Sequence, residues 1–453
     1  MRAGAAPRLG RVSIDDDLVI SGGTAAEIAD SVRALVDRGD LAPGAGLPSV
    51  RALAEQLGVN RNTAVAAYRI LARSGVVVSL GRGGTRVAQR QAVAQEGFAA
   101  AGSLRDVATG NPDPRLIPDL GPALTSAAGR PVLYGEPVID PGLEQWARDW
   151  MTPDAPGDPA DVRLTLTSGA VDAVERLLTQ ALMRDDAVAL EDPCFLASIQ
   201  IARHGGYRAV PVPVDVEGMT VDGLRAALEQ GVRAVVCTPR AQNPTGASLS
   251  ERRAAELREV LADHPYVLVI QDDYYSFLSR RPFHSIVGPG HRRWALLRSV
   301  SKFVGPDMCL AVTATDPETA GRLAQRLSPG TTWVSHLLQR ITHAVMTDPD
   351  ALALIERAGA HYAARNAAFA DRLTAQGLPV LAGDGVSLWV PVPAPAREVA
   401  EQLMRRGWLV RTGDEFQLEP GTEPSRSLRL TVHDLDEEAM RRLAEDLAEA
   451  TQA

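Results

Sequence analysis

Between residues 20 and 90 the apolar positions recur at helical spacing, whereas beyond residue 105 they gather into short unbroken runs. In the first stretch, Ile28, Val32, Leu35 and Val36 share one face of a helix predicted over "TAAEIADSVRALVDR". Gly39 stops that helix, and "GDLAPGAGLPS" has the composition of a turn. Ser49 precedes a second helix, "VRALAEQL", with Val50, Leu53 and Leu57 apolar, which Gly58 ends. Asn60 caps a third, "RNTAVAAYRILARSG", in which Ala64, Val65, Tyr68 and Leu71 are predicted to face inward. Two helices joined by so short a turn form a helix-turn-helix. "VVVSLGRGGTRVA" then predicts two short strands around a glycine tip, the shape of a wing.

The next segment, "AQRQAVAQEGFAAAGSL", has little periodicity and predicts a linker. The organisation expected is a winged helix over 20–88, a linker over 89–104 and a larger domain over 105–447. In the larger domain strand-like runs alternate with helical ones: "VRLTLTSGA" with "VDAVERLLTQALM", "AVALEDP" with "CFLASIQIARHG". Such alternation predicts an α/β domain with a mostly parallel sheet. Ligands of such sheets sit beyond the carboxyl ends of the strands. Five clusters are predicted at those ends, around Ser168-Gly169-Ala170, Asp192 to Phe195, Asn243 to Gly246, Asp272-Asp273-Tyr274 and Ser299 to Lys302.

Charge separates the two parts. Residues 1–90 hold 12 arginines against 8 acidic residues, net +4, in a chain of 453 residues whose net charge is −9. A basic front on an acidic remainder fits a nucleic-acid arm. Arg61, Asn62 and Thr63 open the third helix, the turn that enters the major groove in this motif. Arg51 is placed to reach phosphate, and Arg82, beside Gly83 at the wing tip, to reach phosphate or the minor groove. Double-stranded DNA is therefore the expected partner. No apolar run is long enough to span a membrane, so no membrane association is expected. The three cysteines, Cys194, Cys237 and Cys309, are too scattered for a disulfide framework or a metal site, and are expected as buried reduced thiols in a cytoplasmic protein.

Lys302 is the only lysine among 47 lysine and arginine residues. A desolvated lysine can lose its proton and attack a carbonyl, which a guanidinium cannot do. Each cluster around it is weak alone, but in this order they suit one ligand, pyridoxal 5′-phosphate. A helix starting after Gly169 offers N–H groups to a phosphate. Asp272 can hold a pyridine nitrogen protonated, Asn243 and Tyr274 can bond a ring hydroxyl, Phe195 can stack, and Lys302 can form a Schiff base with the aldehyde.

"GLPSVRALAEQLGVNRNTAVAAYRILARSGVV" resembles the GntR winged-helix regulators over residues 20–88. The later clusters resemble the fold type I aminotransferases over about residues 105–447, and the join resembles a MocR-family transcriptional regulator. That resemblance implies Lys302 as the aldimine lysine, Asp272 at the pyridine nitrogen, and Asn243 and Tyr274 at the ring oxygen, with Phe195 as the stacking ring. It implies Ser168, Gly169, Ala170 and Ser299 at the phosphate. Tyr134, in "LYGEP", would reach the partner's phosphate across a head-to-tail homodimer, and Arg429 would grip a substrate or effector carboxylate. One position departs: where the family has a phosphate-binding arginine, after Lys302 and Pro306, this chain has Cys309. Weaker cofactor binding is expected, with Arg298, Arg293 or a residue of the partner as possible substitutes. The function expected is a DNA-binding regulator that senses pyridoxal phosphate, an amino compound, or both, rather than an enzyme. Two rivals stay open: a working aminotransferase with a DNA-binding head, and a regulator that has lost the cofactor.

Overall fold

The structure is a computed structural model and describes residues 11–13, 19–79, 84–88, 104–327, 333–418 and 423–452. It divides into two compact units, Met1–Ala94 and Gln95–Ala453. Arg82 and Gly83 lie outside the described residues, as do 89–103 of the expected linker.

The smaller unit opens with a strand pair, β1 (Arg11–Ser13) and β2 (Val19–Ser21), followed by α1 (Ala25–Asp37), α2 (Val50–Leu57) and α3 (Arg61–Arg73). Thr24 and Glu27 form a reciprocal capping box at the start of α1. Ser49 caps α2, and Gly58 ends it at φ +66°, a left-handed backbone that suits glycine. Ile28, Val32, Leu53, Leu57, Ala64, Ala67 and Leu71 build the core. The Tyr68 hydroxyl donates to Pro48 O at 2.6 Å, which ties α3 to the turn before α2. Val36 and Val65, expected inside, are only half-buried at its edge. Strands β3 (Val77–Ser79) and β4 (Thr85–Val87) pair antiparallel, as a wing requires.

The larger unit runs from β5 (Arg105–Asp106) through α4 (Gly121–Ala127), α5 (Pro141–Met151), β6 (Arg163–Thr167), α6 (Ala170–Ala181), β7 (Ala187–Asp192), α7 (Leu196–Gly205), β8 (Arg208–Asp215) and β9 (Gly218–Met219). It continues with α8 (Val221–Glu229), β10 (Ala234–Cys237), α9 (Glu251–Ala262), β11 (Leu268–Asp272), β12 (Trp294–Ser299) and β13 (Ala311–Thr315). Helices α10 (Pro317–Leu327), α11 (His336–Met346) and α12 (Pro349–Ala375) lead to β14 (Leu388–Pro391), α13 (Ala396–Arg405), β15 (Trp408–Leu409), β16 (Arg411–Thr412), β17 (Ser427–Leu430) and α14 (Glu437–Ala450).

Eight strands form the main sheet in the order β6-β13-β12-β11-β10-β7-β8-β9. The pairs β12–β11, β11–β10, β10–β7 and β7–β8 are parallel, and β13 runs antiparallel between β12 and β6. Both faces are covered. Ala189, Val235, Val269 and Leu296 enter one core, while Val188, Val236, Ile270 and Leu297 enter the other. Burial on both faces explains why these strands read as unbroken apolar runs. A small sheet, β14-β17-β16, and α12 to α14 close over a third core around Leu388, Leu428 and Leu443. Asp384 N donates to Gly246 O at 2.8 Å where this part meets the main sheet, and a Cβ on Gly246 would lie 2.7 Å from Asp384 O. Among the described residues no helix is long and apolar enough to cross a membrane.

Candidate functional site

The smaller unit presents one polar surface at the start of α3. Asn60 Oδ1 accepts the Asn62 N–H at 2.8 Å, which fixes the helix start and leaves the Arg61 and Asn62 side chains exposed. Thr63 is half-exposed beside them. Arg51, exposed on α2, pairs with Glu55 at 2.9 Å one turn along the helix. Contact with a phosphate would exchange that exposed pair, which is worth little, for a stronger one.

In the larger unit the carboxyl ends of β6, β7, β10, β11 and β12 surround a cavity of about 230 Å³. It brings together Lys302, Asp272, Tyr274, Asn243, Phe195, Ser168, Gly169, Ala170 and Ser299, all expected from the sequence. Lys302 Nζ donates to Gly110 O at 2.8 Å. Asp272 ends β11 with only 8% of its surface exposed, and its Oδ1 has no hydrogen-bond partner. Burial, with Asp273 and Glu191 nearby, pushes its carboxyl up to about 7. The Tyr274 hydroxyl donates to Ala241 O at 2.7 Å.

At the other end of the cavity Gly169 sits at φ +93° as the residue before α6, and no side chain caps the helix. A Cβ there would meet nothing within 4 Å, so the backbone, not the space, demands glycine. Ser299 Oγ lies 3.1 Å from Ser301 Oγ and accepts the Ser301 N–H at 3.2 Å. Arg429, 1% exposed on β17, donates to Asn243 Oδ1 at 3.2 Å and to Ala108 O at 2.8 Å, and lies over the Phe416 ring. Tyr134 does not line this cavity. It is 91% exposed and packs against Trp333, with ring centroids 5.4 Å apart.

Three expectations need correction. Cys309 is an exposed thiol at the cavity, not a buried one, because the turn after Pro306 holds it in left-handed backbone at φ +38°. Arg298 does not replace the missing arginine: its guanidinium is buried against Asp273 at 2.8 Å, Trp150 O at 2.6 Å and Asp154. Arg293 does not replace it either, since it precedes the opposite end of β12. The sequence also left Glu191 and Ser301 unassigned, yet both line the cavity. Glu191 is buried and accepts from Thr238 N at 3.1 Å and Gln242 Nε2 at 3.3 Å; burial outweighs these bonds and pushes its carboxyl up to about 7. Ser301 was legible from its spacing to Ser299. Glu191 was not, because an apolar strand buried on both faces gives no alternation to say which way it points.

A winged helix joined to an α/β domain with a lysine-and-aspartate cavity defines a regulator built on an aminotransferase fold. The chain belongs to the MocR-type transcriptional regulators: residues 24–87 match the gntR family of bacterial regulatory proteins, and residues 104–447 match aminotransferase class I and II. It is 44% identical over 433 residues, 95% of this chain and 99% of the relative, to the vitamin B6 salvage pathway transcriptional repressor PtsJ of Salmonella typhimurium. It is 26% identical over 317 residues, 64% of this chain and 66% of the relative, to the pyridoxine biosynthesis transcriptional regulator PdxR of Corynebacterium glutamicum. The fold is similar to that of Pyrococcus horikoshii kynurenine aminotransferase, a structure in complex with PMP, at a TM-score of 0.68 and 22% identity over 78% of this chain and 93% of the other. Pyridoxal phosphate is the cofactor of this aminotransferase family. The residues present fit it, since Asp272 holds an unsatisfied buried oxygen and the start of α6 is uncapped.

Proposed function

We propose that this chain is a cytoplasmic, homodimeric regulator in which the larger unit senses pyridoxal phosphate, alone or with an amino compound, and sets the DNA affinity of the winged helix. The observation that carries this reading is the unpartnered Oδ1 of Asp272 in the cavity that also holds Lys302. A buried carboxyl without a partner costs stability, and a protonated ring nitrogen would satisfy it. When bound, pyridoxal phosphate supplies an aldehyde that reacts with primary amines and a ring that withdraws electrons from them.

Lys302 Nζ would hold the aldehyde carbon, and Asp272 would keep the proton on the ring nitrogen. Tyr274, whose own proton goes to Ala241 O, would accept from the ring hydroxyl beside Asn243. Phe195 would cover the ring. Ser168, the Gly169–Ala170 backbone and Ser299 would meet the phosphate, with Tyr134 of the partner arriving from outside. Arg429, braced by Asn243, would bind the carboxylate of an amino compound. Arg51, Arg61, Asn62 and Thr63 would contact DNA. A head-to-tail dimer is supported by the apolar side chains exposed around α4 and α11: Leu124, Leu133, Tyr134, Val138 and Leu337.

Borohydride reduction in the presence of pyridoxal phosphate, followed by peptide mapping, tests this reading. The account expects a stable adduct on Lys302; saturating ligand with no adduct there rejects it. The braced Arg429 also favours a second reading, a working aminotransferase. Sustained turnover with a panel of amino donors and keto acids would select it, and the regulator reading expects none.

A further inference from the structure

The phosphate end of the cavity holds Cys309 where the aminotransferase resemblance implies an arginine, and its charges can be followed one by one. Lys302 is the only cation among the described residues lining the cavity, against the carboxyls of Asp272 and Glu191. Cys309 takes the arginine position and contributes no charge-assisted donor. Three arginines on or beside the elements that form the cavity are engaged elsewhere. Arg298 and Arg240 both bind Asp273, at 2.8 and 2.6 Å, and Arg176 binds Asp172 at 2.6 Å. Asp172, in the first turn of α6, also accepts the Ser168 N–H at 3.0 Å. What faces the phosphate position is a set of neutral donors: the Ser168, Ser299 and Ser301 hydroxyls and the first N–H groups of α6.

Neutral donors and one helix N-terminus favour a phosphate over a hydroxymethyl group far less than an arginine would, and they offset the desolvation of a dianion poorly. We infer that the cavity discriminates weakly between pyridoxal 5′-phosphate and unphosphorylated pyridoxal, so that this regulator responds to both. The inference rests on the sensor reading above and specifies its ligand class. Ring nitrogen and ring hydroxyl are common to the two molecules, with Asp272, Tyr274 and Phe195 as their partners; pyridoxal in water is largely closed as an internal hemiacetal, and its open form offers Lys302 the same aldehyde.

Direct binding to the full-length chain, by equilibrium dialysis with each vitamer separately, tests this on the wild type and on Cys309→Arg. The backbone at 309 already holds a side chain at φ +38°, so arginine brings no new left-handed strain. With pyridoxal counted as its open aldehyde form, the wild type is expected to bind the two vitamers within about tenfold of each other. Cys309→Arg should tighten pyridoxal 5′-phosphate by about ten- to a hundredfold and leave pyridoxal unchanged. Cys309→Ser, neutral and small, should leave the ratio as in the wild type. On the same count, a wild-type preference for the phosphorylated form well beyond about tenfold overturns the inference while the sensor reading stands. Equal tightening of both vitamers in Cys309→Arg also overturns it. Binding of neither vitamer to the wild type overturns the sensor reading itself.

Discussion

Asp272→Asn should make the ligand-free protein more resistant to alkaline pH than the wild type. The Asp272 carboxyl is buried, its Oδ1 lacks a partner, and its proton is held up to about 7 against an ordinary value of 3.8. Between those values the folded protein keeps a proton that the unfolded chain has already lost. Stability therefore falls as pH rises through this window and levels off above about 7. From pH 5 to pH 8 the loss attributable to this one group is about 2–3 kcal/mol. Asparagine has no such proton, while Glu191, whose carboxyl is also pushed up to about 7 in the same cavity, adds its own pH dependence to both proteins. The quantity to measure is the difference in unfolding free energy between variant and wild type, by urea titration at pH 5 and again at pH 8. That difference should shift toward the variant by about 2–3 kcal/mol on going to pH 8. Added pyridoxal phosphate should move the difference back toward the wild type, since at a hundred times its dissociation constant a ligand stabilises by about 2.7 kcal/mol and the wild type binds it better. A difference that does not move with pH would refute the argument that Asp272 is kept for a ligand at a cost to the fold.

Arg61→Ala should weaken binding to the protein's own upstream DNA by about 1–3 kcal/mol at fixed salt, and unchanged affinity would remove Arg61 from the readers of sequence. Leu337→Asp, at a half-exposed position on α11 near Trp333, should shift the chain from dimer to monomer in sedimentation without unfolding it. A variant that sediments as a dimer would place the interface elsewhere.

The three helices of the smaller unit were legible, whereas its opening strand pair β1–β2 was not. Thr24, Ser49 and Asn60 cap their helices and Gly58 stops α2, because capping is local chemistry that a single sequence carries. The alternation of strands and helices was legible for the same reason, and with it the strand ends that hold Lys302 and Asp272. What the sequence hid was long-range. Arg298 looked available to a phosphate, but its partners Asp273, Asp154 and Trp150 lie 25, 144 and 148 positions away, and no local pattern joins them. Asp273, placed at a strand end beside Asp272 and given no role, is fully buried between two guanidinium groups. Cys309 was expected inside because cysteine usually is, whereas the turn after Pro306 turns it out toward the cavity.

The central claim, that occupancy at Lys302 sets DNA affinity, is tested most directly by fluorescence anisotropy of a labelled duplex from the protein's own upstream region. The wild type and Lys302→Ala would be titrated at fixed salt with and without saturating pyridoxal phosphate. The account predicts that the ligand changes wild-type affinity by about five- to a hundred-fold, the usual range of coupling between two sites. It predicts that Lys302→Ala binds DNA as the ligand-free wild type does and ignores the ligand. A wild type whose DNA affinity is unmoved by saturating ligand, or a Lys302→Ala protein that responds as the wild type does, would contradict it.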